Sequence, residues 1–150
     1  MNAIPWHHRP TLEELAAQSR QTAVEHLGIE FTAVGDDFLR ARMPVDHRTV
    51  QPMRLLHGGA SVLLAETVGS VAANLCLDPK THFAVGLDIN ANHVRSLDRG
   101  WAHGTARPIH VGRRTQLWEI RIVGDDDRLV CISRLTMSVI ERSVVGAEAP

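Results

Sequence analysis

One carboxylate in this 150-residue chain is set apart by its surroundings. Glu66 lies amid Val62, Leu63, Leu64, Ala65 and Val68, and it is the only charged residue between Gly58 and Leu77. A carboxylate there either keeps its charge at a large desolvation cost or holds its proton more tightly than usual. Its neighbours one helical turn away are Val62 and Ser70, so no local cation compensates it. Such a group can take a proton from water or attack a carbonyl itself. Glu66, Ser70 and Asn74 recur at four-residue spacing and form a thin polar stripe along a helix. A stripe of this kind faces water or lines a pocket or interface, and the apolar residues on both its sides favour the second.

His57-Gly58-Gly59 opens the same run. The free N–H groups of a helix N-terminus attract developing negative charge, and glycine lets a substrate approach the backbone. A carbonyl held there would be polarised and its tetrahedral oxyanion stabilised. Two glycines can also simply break strand into helix. Distance adds information: Gly58 and Glu66 are eight residues apart, about 12 Å along a helix axis. One helix can hardly aim its own N-terminus and its own Glu66 at a single carbonyl carbon. Two antiparallel copies related by a two-fold axis can. The expected site is therefore shared, with Gly58 from one subunit and Glu66 from the other.

The elements that must position these residues follow from pattern. Thr11, with Glu14 three residues on, reads as a capping box that starts a helix. That helix is expected to run, with breaks, to Leu27 before Gly28. Strands are expected at 29–34 and 38–43, joined by Gly35-Asp36-Asp37; Leu39, Ala41 and Met43 alternate with Phe38, Arg40 and Arg42. Residues 45–56 form a loop bracketed by Pro44 and Pro52. The apolar helix is expected over 58–77 and is ended by Asp78-Pro79-Lys80. Four strands follow, at 83–95, 100–110, 115–123 and 129–141. In the third, Trp118, Ile120 and Ile122 share a face opposite Glu119 and Arg121. Gly124-Asp125-Asp126-Asp127 reads as a hairpin loop, and 143–150 as a frayed tail. Two strands, one apolar helix and four strands on short connections imply an α+β domain in which a curved antiparallel sheet of five to six strands wraps a central helix. Such a sheet has exposed edges, and pairing an edge with a second copy covers it, so a homodimer is expected.

Composition narrows the function classes. A length of 150 residues suits one domain, and 44% hydrophobic with 22% charged residues is ordinary for a globular protein. A net charge of −1 offers no basic field for nucleic acid, and the pair Arg113-Arg114 alone does not supply one. Cys76 and Cys131 stand in no CxxC pair and read as reduced thiols of a cytoplasmic protein. The apolar run over 58–77 is long enough to span a membrane, but Glu66, Ser61, Thr67, Ser70 and Asn74 argue for a buried helix instead. His7, His8, His26, His47, His82 and His103 show no metal-ligand spacing, so no metal is expected. There is no GxSxG elbow, phosphate loop or dinucleotide fingerprint.

The run from Gln51 through His57-Gly58-Gly59 to Glu66 and Ser70 resembles the aryl-type hotdog-fold acyl-CoA thioesterases. The resemblance extends to Leu12-Glu-Glu-Leu, His26-Leu-Gly-Ile, Met43-Pro-Val-Asp, His110-Val-Gly-Arg113 and Trp118-Glu-Ile. It implies a hotdog fold, an acyl-CoA substrate with an aromatic acyl group, no cofactor, and subunits paired into dimers and dimers of dimers. Glu66 would then be general base or nucleophile. Gly58 would polarise the carbonyl with the His57 ring nearby, Gln51 would place the carbonyl or the water, and Ser70 would hold the water or the ring. The CoA end would fall to Gly86, His93, Val94, Arg95, Ser96 and the stretch His110, Val111, Gly112, Arg113, Arg114 and Thr115. The arginines there suit phosphates, although exposed strand-end arginines are also common. Val94 and Ser96 stand where close members tend to show His and Pro, and Arg114-Thr115 where Gln-Asn is typical. Two other readings use the same fold: a hydratase or dehydratase, which needs a catalytic histidine with an acidic partner, and a non-catalytic acyl-CoA-binding module, which needs no Glu66.

Overall fold

The structure, a computed structural model, describes residues 3–142. The tail expected at 143–150 lies outside the described residues. Six strands form a single antiparallel sheet: β1 (Glu30–Val34), β2 (Leu39–Pro44), β3 (His82–His93), β4 (Trp101–Val111), β5 (Thr115–Val123) and β6 (Leu129–Glu141). Their order is β1-β2-β4-β5-β6-β3. Helix α3 (Gly58–Leu75) packs against β2, β3, β4, β5 and β6, so the sheet curls around it as the hotdog arrangement requires.

The inner face of the sheet follows the strand alternation. Leu39, Ala41 and Met43 of β2, Trp118, Ile120 and Ile122 of β5, and Leu135 and Met137 of β6 are buried. They meet Leu64, Ala65, Val68, Ala72 and Ala73 of α3. The helix approaches closely because of small residues. A Cβ built at Gly69 would come 2.6 Å from a methyl of Leu135, and one at Gly104 would come 3.2 Å from Leu64. Two buried polar side chains are tied in. Trp118 Nε1 donates to Gln116 Oε1 at 3.0 Å, and Gln116 Nε2 donates to the Ala73 carbonyl at 3.2 Å. This offsets the cost of burying an amide on an apolar face.

The N-terminal region departs from the single helix expected over 11–27. It forms α1 (Leu12–Gln18) and α2 (Ala23–His26). Thr11 and Glu14 do close the capping box on α1. The break comes at Gln21, whose φ of 58° is incompatible with a continuing helix, and Thr22 caps α2 anew. The central helix ends at Leu75 rather than 77, because Cys76 forms its C-cap and Leu77 turns back with its N–H on the Asn74 carbonyl. Cys76 and Cys131 are free thiols, and burial pushes the Cys76 thiol up to about 12. No helix among the described residues is long and apolar enough to cross a membrane.

Candidate active site

The loop between β2 and α3 is built to hold the helix start. Thr49 is buried; its hydroxyl donates to the Pro44 carbonyl at 2.6 Å and accepts from the Asp46 N–H at 3.1 Å. Its carbonyl accepts the N–H of His57 at 2.9 Å. One threonine thus links the end of β2 to the N-cap of α3. Arg48 pairs with Asp46 at 2.7 Å, and that guanidinium holds the Asp46 carboxyl at about 2. Further along, Gln51 Oε1 accepts the N–H of Met53, and Gln51 N–H donates to the Leu55 carbonyl at 2.8 Å.

His57 is the N-cap of α3, and its Nδ1 accepts the Gly59 N–H at 2.8 Å. An amide N–H can only donate, so Nδ1 carries no proton and the neutral ring keeps its hydrogen on Nε2. The Gly58 N–H has no partner among the described residues. The helix start therefore offers two donors, the Gly58 N–H and His57 Nε2–H. A Cβ built at Gly58 would lie 3.0 Å from His93 Nε2, so glycine lets the β3 end close on the helix start. Gln51, Gly58, Ser61, His93, Arg95 and Ser96, together with Val94, line one hollow of about 400 Å³.

Glu66 sits on the open face of α3 in a second hollow, of about 440 Å³, with Gly59, Val62, Leu63, Thr67 and Ser70. It is half-buried in the single protomer, and it joins none of the salt bridges among the described residues. Its carboxylate rests on β3: a Cβ at Gly86 would lie 2.5 Å from Oε1 of Glu66. Ser70 Oγ lies 3.7 Å from the Met137 sulfur. Asn74, the third member of the polar stripe, is fully engaged. Its Nδ2 donates to the carbonyls of Ser70 and Ala84 at 3.0 Å each, and its Oδ1 accepts the Ala84 N–H at 2.8 Å. Asn74 clamps β3 to the helix two residues before Gly86.

The residues expected at the site thus fall in three places within one protomer. Gln51, His57, Gly58 and His93 to Ser96 gather at the helix start. Glu66, Ser70 and Gly86 gather half-way along α3. His110 and Val111 line a separate hollow with Asp37, Arg107 and Glu119. Gly112 to Thr115 make the tight turn from β4 to β5, where the Gly112 N–H donates to the Thr115 carbonyl at 3.0 Å. A Cβ at Gly112 would strike that carbonyl oxygen at 2.8 Å. Arg113 and Arg114 are exposed there. Thr49, Ser61, Asn74 and Gln116 support the site without having been singled out for it. Asn74 showed itself only through its spacing from Glu66, and Thr49 carried no signal at all. No group of three or more His, Cys, Asp or Glu side chains among the described residues is placed to hold a metal ion.

A carboxylate on an apolar helix, wrapped by an antiparallel sheet and with free donors at the helix start, defines a hotdog-fold protein with the layout of a hydrolytic site. The chain belongs to the thioesterase superfamily, whose family model matches residues 53–131. It is 50% identical over 135 residues to the 1,4-dihydroxy-2-naphthoyl-CoA hydrolase of Escherichia coli, covering 90% of this chain and 98% of that one. It is likewise 50% identical over 135 residues to the proofreading thioesterase EntH of Cronobacter turicensis, with the same coverage. Among solved structures, a thioesterase of Haemophilus influenzae superposes with a TM-score of 0.91 at 48% identity, over 97% of this chain and 99% of that one.

Proposed function

We propose that this protein hydrolyses acyl-CoA thioesters carrying an aromatic acyl group, with Glu66 as the catalytic carboxylate at a site shared between two subunits. The observation that carries this reading is the placement of Glu66 on α3, facing an apolar hollow and eight residues from a helix start with unspent donors. The names of the Escherichia coli and Cronobacter relatives, both thioester hydrolases, support it.

The thioester oxygen would lie against the Gly58 N–H and His57 Nε2–H of one subunit. Water then attacks the acyl carbon while Glu66 of the other subunit takes its proton. The tetrahedral oxyanion stays on the donors, the C–S bond breaks, and the CoA thiolate leaves and is protonated. Alternatively, Glu66 attacks first and forms an acyl anhydride that water opens, which splits one hard step into two. Both routes give free acid and CoA thiol and need nothing but water, so no cofactor enters. Gln51 places the carbonyl or the water, and Ser70 holds the water or the acyl ring. His93 to Ser96 and His110 to Thr115 receive the CoA portion, with Arg95, Arg113 and Arg114 toward its phosphates, while Gly86 backs the Glu66 carboxylate.

The sheet edge supports a homodimer. Among the described residues strand β3 pairs only with β6; it is twelve residues long and exposes Val85 and Leu87, the latter to 64%. A long, apolar, unpaired edge invites pairing with a second copy. Pairing β3 to β3 brings the two α3 faces together and buries Glu66. Dimers of dimers extend the same principle. The free thiols, Cys131 buried and Cys76 partly so, fit the reducing cytoplasm.

The test is release of free thiol over a panel of acyl-CoA esters. Wild type is expected to release thiol from aromatic esters with no change in enoyl absorbance. The Glu66→Ala variant is expected to lose about 10²- to 10⁴-fold in kcat while still binding CoA esters. Undiminished turnover by Glu66→Ala would sink the reading. A single turnover in ¹⁸O-water separates the two routes, because label enters Glu66 only through the anhydride.

A further inference from the structure

Strand β3 touches both halves of the proposed site, one toward each end. Glu66 rests on Gly86, and Gly58 rests on His93, where a Cβ built on the glycine would lie 3.0 Å from Nε2. When two copies pair through β3, the register of that pairing decides whether Glu66 of one meets Gly58 of the other. The backbone shows what the edge can offer. In an antiparallel ladder the N–H and C=O of one residue point to the same side, and successive residues alternate. Ala84 spends both groups on the Asn74 amide, at 2.8 and 3.0 Å, so it faces the free edge, and Gly86 with it. At the other end the Val94 N–H donates to the Val130 carbonyl of β6, so His93, Ala91 and Ile89 face the free edge. The register shift between Gly86 and Asp88 reconciles the two ends.

Two antiparallel registers then compete. In the first, the two-fold axis passes Asn90, Ile89 pairs with the partner's Ala91, and Gly86 with the partner's His93. In the second, the strands slip by two residues, about 7 Å. The axis then passes Ile89, Gly86 pairs with the partner's Ala91, and Ala84 with the partner's His93. A slip the other way leaves Gly86 with no β3 residue opposite it. The second register uses more of the edge, but it needs the N–H and C=O of Ala84, which Asn74 already holds. We infer that the Asn74 amide stands in for a neighbouring strand at Ala84, ends the pairing edge there, and so selects the register in which Glu66 faces the partner's Gly58. Asn74 is a positioning residue, since it acts on the site only through β3. The inference rests on the shared-site reading above.

Cross-linking reads the register directly. Asn90→Cys and Ile89→Cys are each made alone and together with Asn74→Ser, and disulfide-linked dimer is measured after mild oxidation, with wild type as the blank for Cys76 and Cys131. In the first register the paired Cα atoms at position 90 are about 4.5 Å apart and those at 89 about 8 Å, beyond disulfide reach; the slipped register reverses the order. With Asn74 in place, Asn90→Cys is expected to give at least about ten-fold more linked dimer than Ile89→Cys. The Asn74→Ser side chain ends one atom short of Ala84 and is expected to shift that ratio at least about five-fold toward Ile89→Cys. Asn74→Leu, close in shape but without polar atoms, replaces it should Asn74→Ser not fold. Linking at Ile89→Cys that equals or exceeds Asn90→Cys with Asn74 in place overturns the inference, as does a ratio that loss of the amide moves by less than about two-fold. These readouts need no substrate. A lack of thiol release from every acyl-CoA ester would end the thioesterase reading instead, and leave the register result standing.

Discussion

At position 86 the β3 backbone passes so close to the Glu66 carboxylate that only glycine leaves it room. The resemblance grouped Gly86 with the CoA end; the structure sets it against the carboxylate. Nothing in the spacing of residues 66 and 86 betrays that contact, because it depends on the turn after α3 and on the clamp that Asn74 makes with Ala84. Glu66 itself was legible, since a lone charge in an apolar run is costly wherever the fold puts it. Gly86→Ala is expected to displace the carboxylate and lower kcat about 10- to 100-fold, with a melting temperature close to wild type. Steady-state kinetics beside a thermal melt checks this, and an unchanged kcat would show that the carboxylate has slack.

The elements that position the site differ in how far their sequence announces them. Strands β2 and β5 alternate cleanly because one face packs on α3, and Leu39, Ala41, Met43, Trp118, Ile120 and Ile122 all point inward. Strand β3 lacks alternation, since most of it is exposed in the single protomer; it runs over His82–His93 rather than the expected 83–95. Gln116 could not be read as a core residue, because its burial depends on a carbonyl 43 residues away. The break at Gln21 carries no Gly or Pro to mark it. The loop before α3 holds its shape through Thr49. Thr49→Val removes the hydroxyl and strands the Asp46 N–H, at a cost of about 1–3 kcal/mol measurable by denaturant unfolding. Asp46 adds a pH signature. Its folded value of about 2 lies below the ordinary 3.8, so its stabilisation is full above the ordinary value and is lost as pH falls toward about 2. The difference in melting temperature between wild type and Asp46→Asn is therefore expected to shrink as pH falls through that window. A difference that stays constant from neutral pH down would rule out the pairing with Arg48 as its source.

For the whole molecule, the separation of the Gly58 hollow from the Glu66 hollow is the decisive feature. Subunit pairing can be tested by mixing two inactive variants. Gly58→Pro deletes the N–H at the first helical position, where proline is well tolerated, and His57 at ψ 131° already has the extended conformation that precedes proline. Gly58→Pro and Glu66→Ala homodimers are each expected to be inactive. Random re-pairing of equal amounts makes half the dimers mixed, each with one intact site, so about a quarter of wild-type activity should return. A mixture that stays inactive while its subunits exchange would place both residues in one subunit's site.

With the site shared as proposed, a free protomer would have no activity, since each copy would hold half of two different sites. On dilution below the dissociation constant of the pair, specific activity should fall in step with protein concentration, long before any subunit unfolds. Abundance in the cell would then set not only how much enzyme is present but what fraction of it is switched on.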